Sequence, residues 1–198
     1  MNQGINEIQS LLDTNNGLIT ATQITNAGIP RRCLSELVAA GQIYKVDRGV
    51  YAIPDVWEDE MYILQYRFSK GVFSHGTALY LHDMTDRTPH TFTMTFPHGY
   101  NAGGLKGKNV TVKYATHSIY DLGISVAPSP YGNNIITYDI ERTLCDIVKG
   151  NNTCDIQMVN AAMKAYAASS TKDIGKLVEY AGRLRVKPKI LTYMEILL

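Results

Sequence analysis

The first 17 residues of the chain carry one apolar stripe that ends at a turn signal. Ile5, Ile8, Leu11 and Leu12 recur at the spacing of one helix face. The tripeptide Asn15-Asn16-Gly17 follows them, and such residues favour the left-handed backbone of a turn. The pattern therefore predicts a first helix that ends near residue 14.

Two further helices are predicted between residues 20 and 41. Thr20 and Gln23 have the spacing of a capping box, which starts a second helix, and Gly28 is placed to end it. Pro30 favours the first turn of a third helix, which runs to about Gly41. Two helices joined by a short glycine-containing turn indicate a helix-turn-helix motif.

The third helix is amphipathic, and its two faces predict different roles. We expect Cys33, Leu34, Leu37 and Val38 to face the core. The opposite face is polar, and in a helix-turn-helix motif this helix contacts base edges in the major groove. Arginine is the commonest specific reader of guanine there. The residues expected to contact DNA from the two helices of the motif are Thr22, Gln23, Arg31, Arg32 and Ser35.

A β-hairpin is predicted directly after the third helix. Residues 42–46 and 50–53 are rich in β-branched and aromatic side chains, and Asp47-Arg48-Gly49 between them is typical of a tight loop. The loop places Arg48 at the tip, and Lys45 lies on the strand leading to it. A basic hairpin that follows a reading helix is a wing, and we expect both side chains to contact DNA.

The pattern downstream predicts a second, α+β domain. Strand-like stretches at 92–96, 110–114, 124–127 and 135–138 are followed by helical stripes up to the last residue. We expect the Gly/Asn-rich segment Gly99–Gly107 to join the first two strands as a long, basic hairpin loop. The predicted organisation is a winged helix-turn-helix domain at 1–54, a linker helix within 55–73 and an α+β domain with a basic surface at 74–198.

Charge is unevenly distributed although the formal net charge is only +1. Residues 164–189 hold seven basic side chains against Asp173 and Glu179. A face this basic is suited to a polyanion, and the alternative is a solvated helix surface. The side chains predicted to contact DNA phosphates are Lys106, Lys108, Lys164, Lys172, Lys176, Arg183, Arg185, Lys187 and Lys189.

The sequence offers little support for an enzyme, a metal site or a cofactor. The cysteines form no CxxC pair, the histidines lack zinc-site spacing, and no glycine-rich loop fits a nucleotide-binding pattern. Asp139, Glu141 and Asp146 fit one helix, where Arg142 and Asp146 are expected to form a surface ion pair. No secretory signal or membrane span is apparent, so we expect a cytoplasmic protein.

Three groups of residues resemble one known family. The winged-helix segment, from Ile29-Pro30-Arg31-Arg32 to Asp47-Arg48-Gly49-Val50-Tyr51, resembles the head of the AbiEi antitoxins of abortive-infection systems. Ser74-His75-Gly76-Thr77-Ala78-Leu79 and Glu141-Arg142-Thr143-Leu144-Cys145-Asp146 are similar to segments that recur in such proteins. The resemblance covers essentially the whole chain, and the two downstream segments are its more specific part.

The resemblance implies an antitoxin of a type IV toxin–antitoxin system that also represses its own operon. Such a protein binds inverted repeats in its promoter, and it opposes a nucleotidyltransferase-like toxin without a stable complex. Two alternatives stay open: a winged-helix adaptor that docks a protein or RNA without operator specificity, and a nuclease or modifying enzyme that the head tethers to DNA.

Overall fold

The computed structural model describes residues 2–150 and 154–198 as a mixed α/β protein, which confirms the expected α+β class. The helices are α1 (Asn2–Thr14), α2 (Ala21–Asn26), α3 (Arg32–Ala39), α4 (Glu60–Arg67), α5 (His75–Leu81), α6 (His117–Tyr120), α7 (Ile140–Val148), α8 (Ile156–Ala168), α9 (Ile174–Arg183) and α10 (Lys187–Leu197). The strands are β1 (Leu18–Thr20), β2 (Tyr44–Asp47), β3 (Val50–Ala52), β4 (Val72–Phe73), β5 (Phe92–Pro97), β6 (Val110–Ala115), β7 (Ile124–Pro128) and β8 (Asn134–Tyr138). The chain divides into two compact units, unit 1 (Met1–Phe68 and Pro128–Asn134) and unit 2 (Ser69–Ala127 and Ile135–Leu198).

Unit 1 contains the winged helix. The strands form a three-stranded sheet in the order β1-β3-β2, and both pairings are antiparallel. The three helices pack around an apolar core, which consists of Ile8, Leu12, Ile19, Ile24, Ile29, Cys33, Leu34, Leu37 and Ile43. Burial of these side chains is the main force that holds the helices together.

Two features of unit 1 differ from the expectation. Strand β1 was not predicted, because its three residues are all buried and show no alternation of apolar and polar positions. Val38 was expected in the core and is 39% exposed, as are the residues 39–42 that follow it, whereas Leu37 just before it is buried.

Helix α4, expected as a linker, packs against the wing sheet instead. Ile63 is buried together with Leu18, Val50 and Ala52 of the three strands. Asp59 caps the helix, because its carboxylate accepts a hydrogen bond from the Tyr62 amide at 3.0 Å. The compact part of unit 1 therefore extends beyond the predicted boundary at residue 54.

The same carboxylate fastens the loop Pro128–Asn134. Asp59 is fully buried, and it accepts hydrogen bonds from the Ser129 hydroxyl and, at 2.8 Å, from the Asn133 amide. The Ser129 oxygen in turn accepts from the Asn133 backbone N–H at 3.1 Å. A buried carboxylate needs such donors, because an unpaired one would lose its hydration without compensation.

Unit 2 is built on a five-stranded sheet in the order β6-β5-β4-β8-β7. The prediction of a hairpin between β5 and β6 is wrong, because the two strands pair in parallel from Phe92↔Val110 to Pro97↔Ala115. Residues 98–109 form a crossover with a 3-10 turn at Gly103–Leu105, and parallel neighbours need a connection of roughly a dozen residues. The antiparallel neighbour of β5 is the short strand β4.

Helices α7 to α10 enclose the larger core of unit 2. The central members are Leu144, Met163, Leu177, Ala181 and Ile190, all fully buried. Helix α7 lies in the middle of this core, and every residue from Glu141 to Val148 is buried. The charged side chains of α7 are therefore inside the protein, although the sequence suggested a surface position for them.

Candidate nucleic-acid interface

The turn between α1 and α2 is held by a side-chain amide. The Thr20 hydroxyl accepts from the Gln23 backbone N–H at 3.2 Å, and Gln23 Oε1 accepts from the Thr20 N–H at 2.8 Å. Gln23 Nε2 donates to Asn15 Oδ1 at 3.1 Å. The capping box is thus present, and together with the bond to Asn15 it engages both the oxygen and the nitrogen of the Gln23 amide.

Helix α3 presents a polar face to solvent. Arg31, Arg32 and Ser35 are all exposed, and Cys33 and Leu34 on the other side of the helix are buried. The Arg31 guanidinium donates to Thr25 Oγ1 at 3.1 and 3.3 Å. In residues 2–150 and 154–198, neither Arg32 nor Ser35 makes a side-chain hydrogen bond or ion pair, so both are free to bind a ligand.

The wing is a tight turn supported by α4. Gly49 has a φ of +77°, and a Cβ atom there would lie 3.2 Å from the Tyr66 hydroxyl. The Asp47 carboxylate accepts two hydrogen bonds from Arg67 Nη1, at 2.8 and 3.0 Å. This ion pair neutralises the acid of the wing, and it leaves exposed Lys45 and Arg48 as the positive charges there.

Helix α2 is tied to the wing and to α4. The Ala21 N–H donates to the Gly49 carbonyl at 2.8 Å, and the hydroxyls of Thr22 and Tyr66 lie 3.0 Å apart. Thr22 is exposed. Except for Gln23, the side chains predicted for the reading helices and the wing are thus solvent-exposed in unit 1.

Four basic residues predicted to contact phosphates have structural partners in unit 2. Lys176 Nζ lies 3.0 Å from Asp139 Oδ2 and 3.1 Å from Glu141 Oε2. Partial burial lowers the pKa of this amine, but the hydrogen bonds that it donates to the two carboxylates outweigh burial and raise the pKa. The other three donate to backbone carbonyls: Lys172 to Ser169, Arg183 to Ser118 and Lys189 to Val148.

The remaining basic side chains of the predicted set are free. They are exposed and make no side-chain hydrogen bond or ion pair with any residue that the structure describes. These residues are Lys106, Lys108, Lys164, Arg185 and Lys187.

The arginine–carboxylate pair of α7 is buried, and the expectation of a surface pair is wrong. Arg142 is 2% exposed, and its Nε donates to Asp146 Oδ2 at 3.0 Å. Arg142 Nη1 donates to the carbonyls of Ile119 and Leu122, and the guanidinium lies 4.2 Å from the centre of the Tyr138 ring. The motif that carries the family resemblance thus ties α7 to the segment before β7.

Sequence reasoning missed a second cluster, which the structure brings together beside this pair. His75 on α5, Lys113 on β6 and Lys149 after α7 line one cavity with Arg142 and Asp146. One sequence feature could have pointed to this cluster: His75, Arg142 and Asp146 all lie in the segments that carry the family resemblance. Their meeting depends on strand pairing, which the sequence pattern did not provide.

The described part of the chain contains neither a metal-binding cluster nor a membrane-spanning helix. No group of three or more His, Cys, Asp or Glu side chains is arranged to hold a metal ion there. Within the same residues, no helix combines the length and apolar character that crossing a membrane requires.

Comparison with known proteins gives one family match. The model of the family described as transcriptional regulator, AbiEi antitoxin, matches residues 6–54, the winged helix. No curated protein sequence matches the chain. The crystal structure of the RV2827C protein from Mycobacterium tuberculosis is similar at 13% identity and a TM-score of 0.47, covering 97% of this chain and 80% of that chain.

Proposed function

Because residues 6–54 match the AbiEi antitoxin family of transcriptional regulators, we propose that this chain is a sequence-specific repressor of its own operon. The observation that carries the proposal is the free polar face of α3. Arg32 and Ser35 are exposed without a partner in the described residues, and they lie where a helix-turn-helix protein contacts bases. The wing residues Lys45 and Arg48 add positive charge suited to DNA phosphates.

The second part of the proposal concerns the toxin. We propose that the chain is the antitoxin of a type IV system in phage defence, and that it opposes a nucleotidyltransferase-like toxin without a stable complex. The family match supports an antitoxin and a regulator, and it lies in the head. We assign neutralisation mainly to the part downstream of the head, and both activities to the cytoplasm.

Replacing Arg32 by alanine is expected to weaken operator binding by roughly 5- to 150-fold, because a bidentate arginine–guanine contact contributes about 1–3 kcal/mol. The measurement is fluorescence anisotropy at near-physiological salt, with the duplex from upstream of the operon and a scrambled duplex. The same variant is expected to keep rescuing growth when the toxin is co-expressed.

The matched control is Arg87→Ala, which removes an exposed arginine outside the predicted interface. Arg87 pairs with Asp155 at 2.7 Å, and an exposed pair of this kind contributes little to stability. We expect Arg87→Ala to bind the operator like the unmodified chain. Equal affinity of the unmodified chain for both duplexes would remove operator recognition and favour the docking adaptor.

We also propose that free basic side chains of unit 2 contact DNA phosphates. Combining Lys164→Gln, Arg185→Gln and Lys187→Gln is expected to flatten the dependence of log K on log salt by about 0.9 for each phosphate that is no longer neutralised. The measurement is operator affinity across a salt series. Lys176 is left unchanged, because its removal would break the bridge to Asp139 and Glu141.

The control for charge alone is Lys70→Gln with Arg87→Gln, two exposed residues outside the predicted set. If the slope of log K against log salt changed by the same amount per removed charge in the triple variant and in the control, the cause would be net charge in general. That result would contradict phosphate binding by the three selected residues.

A further inference from the structure

A cavity of about 200 Å³ lies beside the buried pair of α7, wholly within unit 2. Residues of two strands, three helices and the segment after α7 line it, most of them basic or polar, together with Tyr114 at 53% exposure. Pockets for drug-sized ligands measure roughly 300–1,000 Å³. The interior therefore has room for one small group, and a larger ligand would extend past Tyr114 into solvent.

The charge of the lining is positive. Arg142 and Asp146 neutralise each other at 3.0 Å. Lys113 and Lys149 also line the cavity, and neither has a carboxylate partner in residues 2–150 and 154–198. With His75 neutral, these two lysines leave a charge that a dianion would balance.

His75 is held in place by its backbone and by a chain of hydroxyls. Its φ of +54° lies in the left-handed region, where a non-glycine residue is uncommon and such strain is concentrated at ligand sites. The Thr95 hydroxyl donates to Ser74 Oγ at 2.8 Å, and Ser74 Oγ lies 3.1 Å from His75 Nδ1. Ser74 Oγ accepts from Thr95 and can donate its own proton to Nδ1, and in that tautomer Nε2 of the neutral ring is a donor.

The surroundings of His75 favour the neutral form of its ring. Burial lowers the pKa of the imidazole, and the positive charges of Lys113, Arg142 and Lys149 lower it further. Asp146 opposes them and raises the pKa, but the net direction is downward. A bound anion would offset part of the repulsion between these positive charges and a protonated imidazole. The His75 ring can therefore report whether an anion is bound in the cavity.

We propose that this cavity binds the phosphate of a free nucleoside 5′-monophosphate, with the base against Tyr114. A phosphate monoester near neutral pH carries a charge of about −1.5 to −2 and strong acceptor oxygens, which fits two unpaired lysines and an imidazole donor. The exposed Tyr114 ring offers a surface on which a base can stack, a contact of about 1–3 kcal/mol. The proposal is independent of operator binding, because the cavity involves no residue of the winged helix.

The test follows His75 by NMR in the full chain while adenosine 5′-monophosphate is added at constant ionic strength. We expect saturable binding at one site, with a dissociation constant of about 1 mM or tighter, which shifts the His75 ring resonances. Inorganic phosphate is expected to bind at least about fivefold more weakly, because it lacks the stacking contact. Adenosine is not expected to bind, because it lacks the phosphate.

Three variants locate the site. Lys113→Gln with Lys149→Gln is expected to abolish binding of both phosphate probes, and the matched control Lys106→Gln with Lys108→Gln to keep it. Tyr114→Ala is expected to bring the affinity for the nucleotide down to that for inorganic phosphate. Thermal unfolding of each variant verifies that unit 2 is intact.

Four outcomes would overturn the proposal. They are a resonance shift that chloride reproduces, undiminished binding by the Lys113/Lys149 variant, equal affinity for inorganic phosphate and the nucleotide, and tighter binding of a 5′-phosphorylated dinucleotide. The last result would assign the cavity to the end of a nucleic-acid strand.

Discussion

Replacement of Arg142 by methionine is expected to lower the free energy of unfolding of unit 2 by about 3–5 kcal/mol, because the change leaves a buried carboxylate without its partner. Asp146 is 5% exposed and pairs with Arg142 at 3.0 Å. The carbonyls of Ile119 and Leu122 would lose their donor as well. Methionine retains most of the volume, so the effect reports the removed charge and hydrogen bonds.

The measurement is chemical denaturation followed by circular dichroism, with amide hydrogen exchange in α7 to assign the transition to unit 2. Arg183→Met is the matched control, because Arg183 is exposed and its guanidinium donates to the Ser118 carbonyl. Combining Arg142→Met with Asp146→Leu is expected to recover part of the loss, since a buried pair can often be replaced by apolar groups. A loss below about 1 kcal/mol for Arg142→Met would mean that the pair behaves like an exposed one.

Replacement of Asp59 by alanine is expected to lower the free energy of unfolding of unit 1 by about 2–4 kcal/mol. Loss of a helix cap contributes about 1 kcal/mol, and leaving buried donors unpaired adds about 1–3 kcal/mol. The cap bond comes from the Tyr62 amide, and the other buried donors are the Ser129 hydroxyl and the Asn133 side-chain amide. Urea denaturation gives the total, and hydrogen exchange at Tyr131 and Asn133 reports the loop Pro128–Asn134.

Asp173→Ala serves to separate the contribution of the helix cap from the contribution of the bonds to the buried loop. Asp173 is an exposed cap of α9 that accepts from the Lys176 N–H at 2.9 Å, so its loss is expected to remove only the cap, about 1 kcal/mol. Equal losses for Asp59→Ala and Asp173→Ala, with unchanged exchange at Asn133, would contradict a role for Asp59 in holding the loop.

The predictions that the structure confirms depend on neighbouring residues. The capping box of Thr20 and Gln23 and the tight turn at Gly49 are both present where the sequence placed them. Each is specified within a few positions along the chain, because hydrogen-bonding reach and left-handed backbone are local properties. The spacing did not show that Gln23 Nε2 also donates to Asn15 Oδ1, eight residues earlier in the chain.

The failures concern the pairing of distant segments. Strand β4 has two residues, too few for any alternation to be visible, yet it pairs with both β5 and β8. The hairpin prediction for β5 and β6 assumed that consecutive strands turn back on each other, and the parallel register of the two strands overturns it. The relative direction of two strands depends on how the whole sheet is assembled. The pattern of apolar and polar positions within one strand does not determine it.

The sequence by itself determined the helix-turn-helix order, the wing and the mixed class of the fold, because period, caps and turn residues act over short distances. Tertiary structure alone decided that Arg142 and Asp146 are buried, that Lys176 bridges two carboxylates, and that His75 meets Lys113 and Lys149 in one cavity. The sequence pattern around a charged residue can be the same whether its helix is exposed or buried. Its environment is set by elements that pack against it from far along the chain, and that environment determines its chemistry.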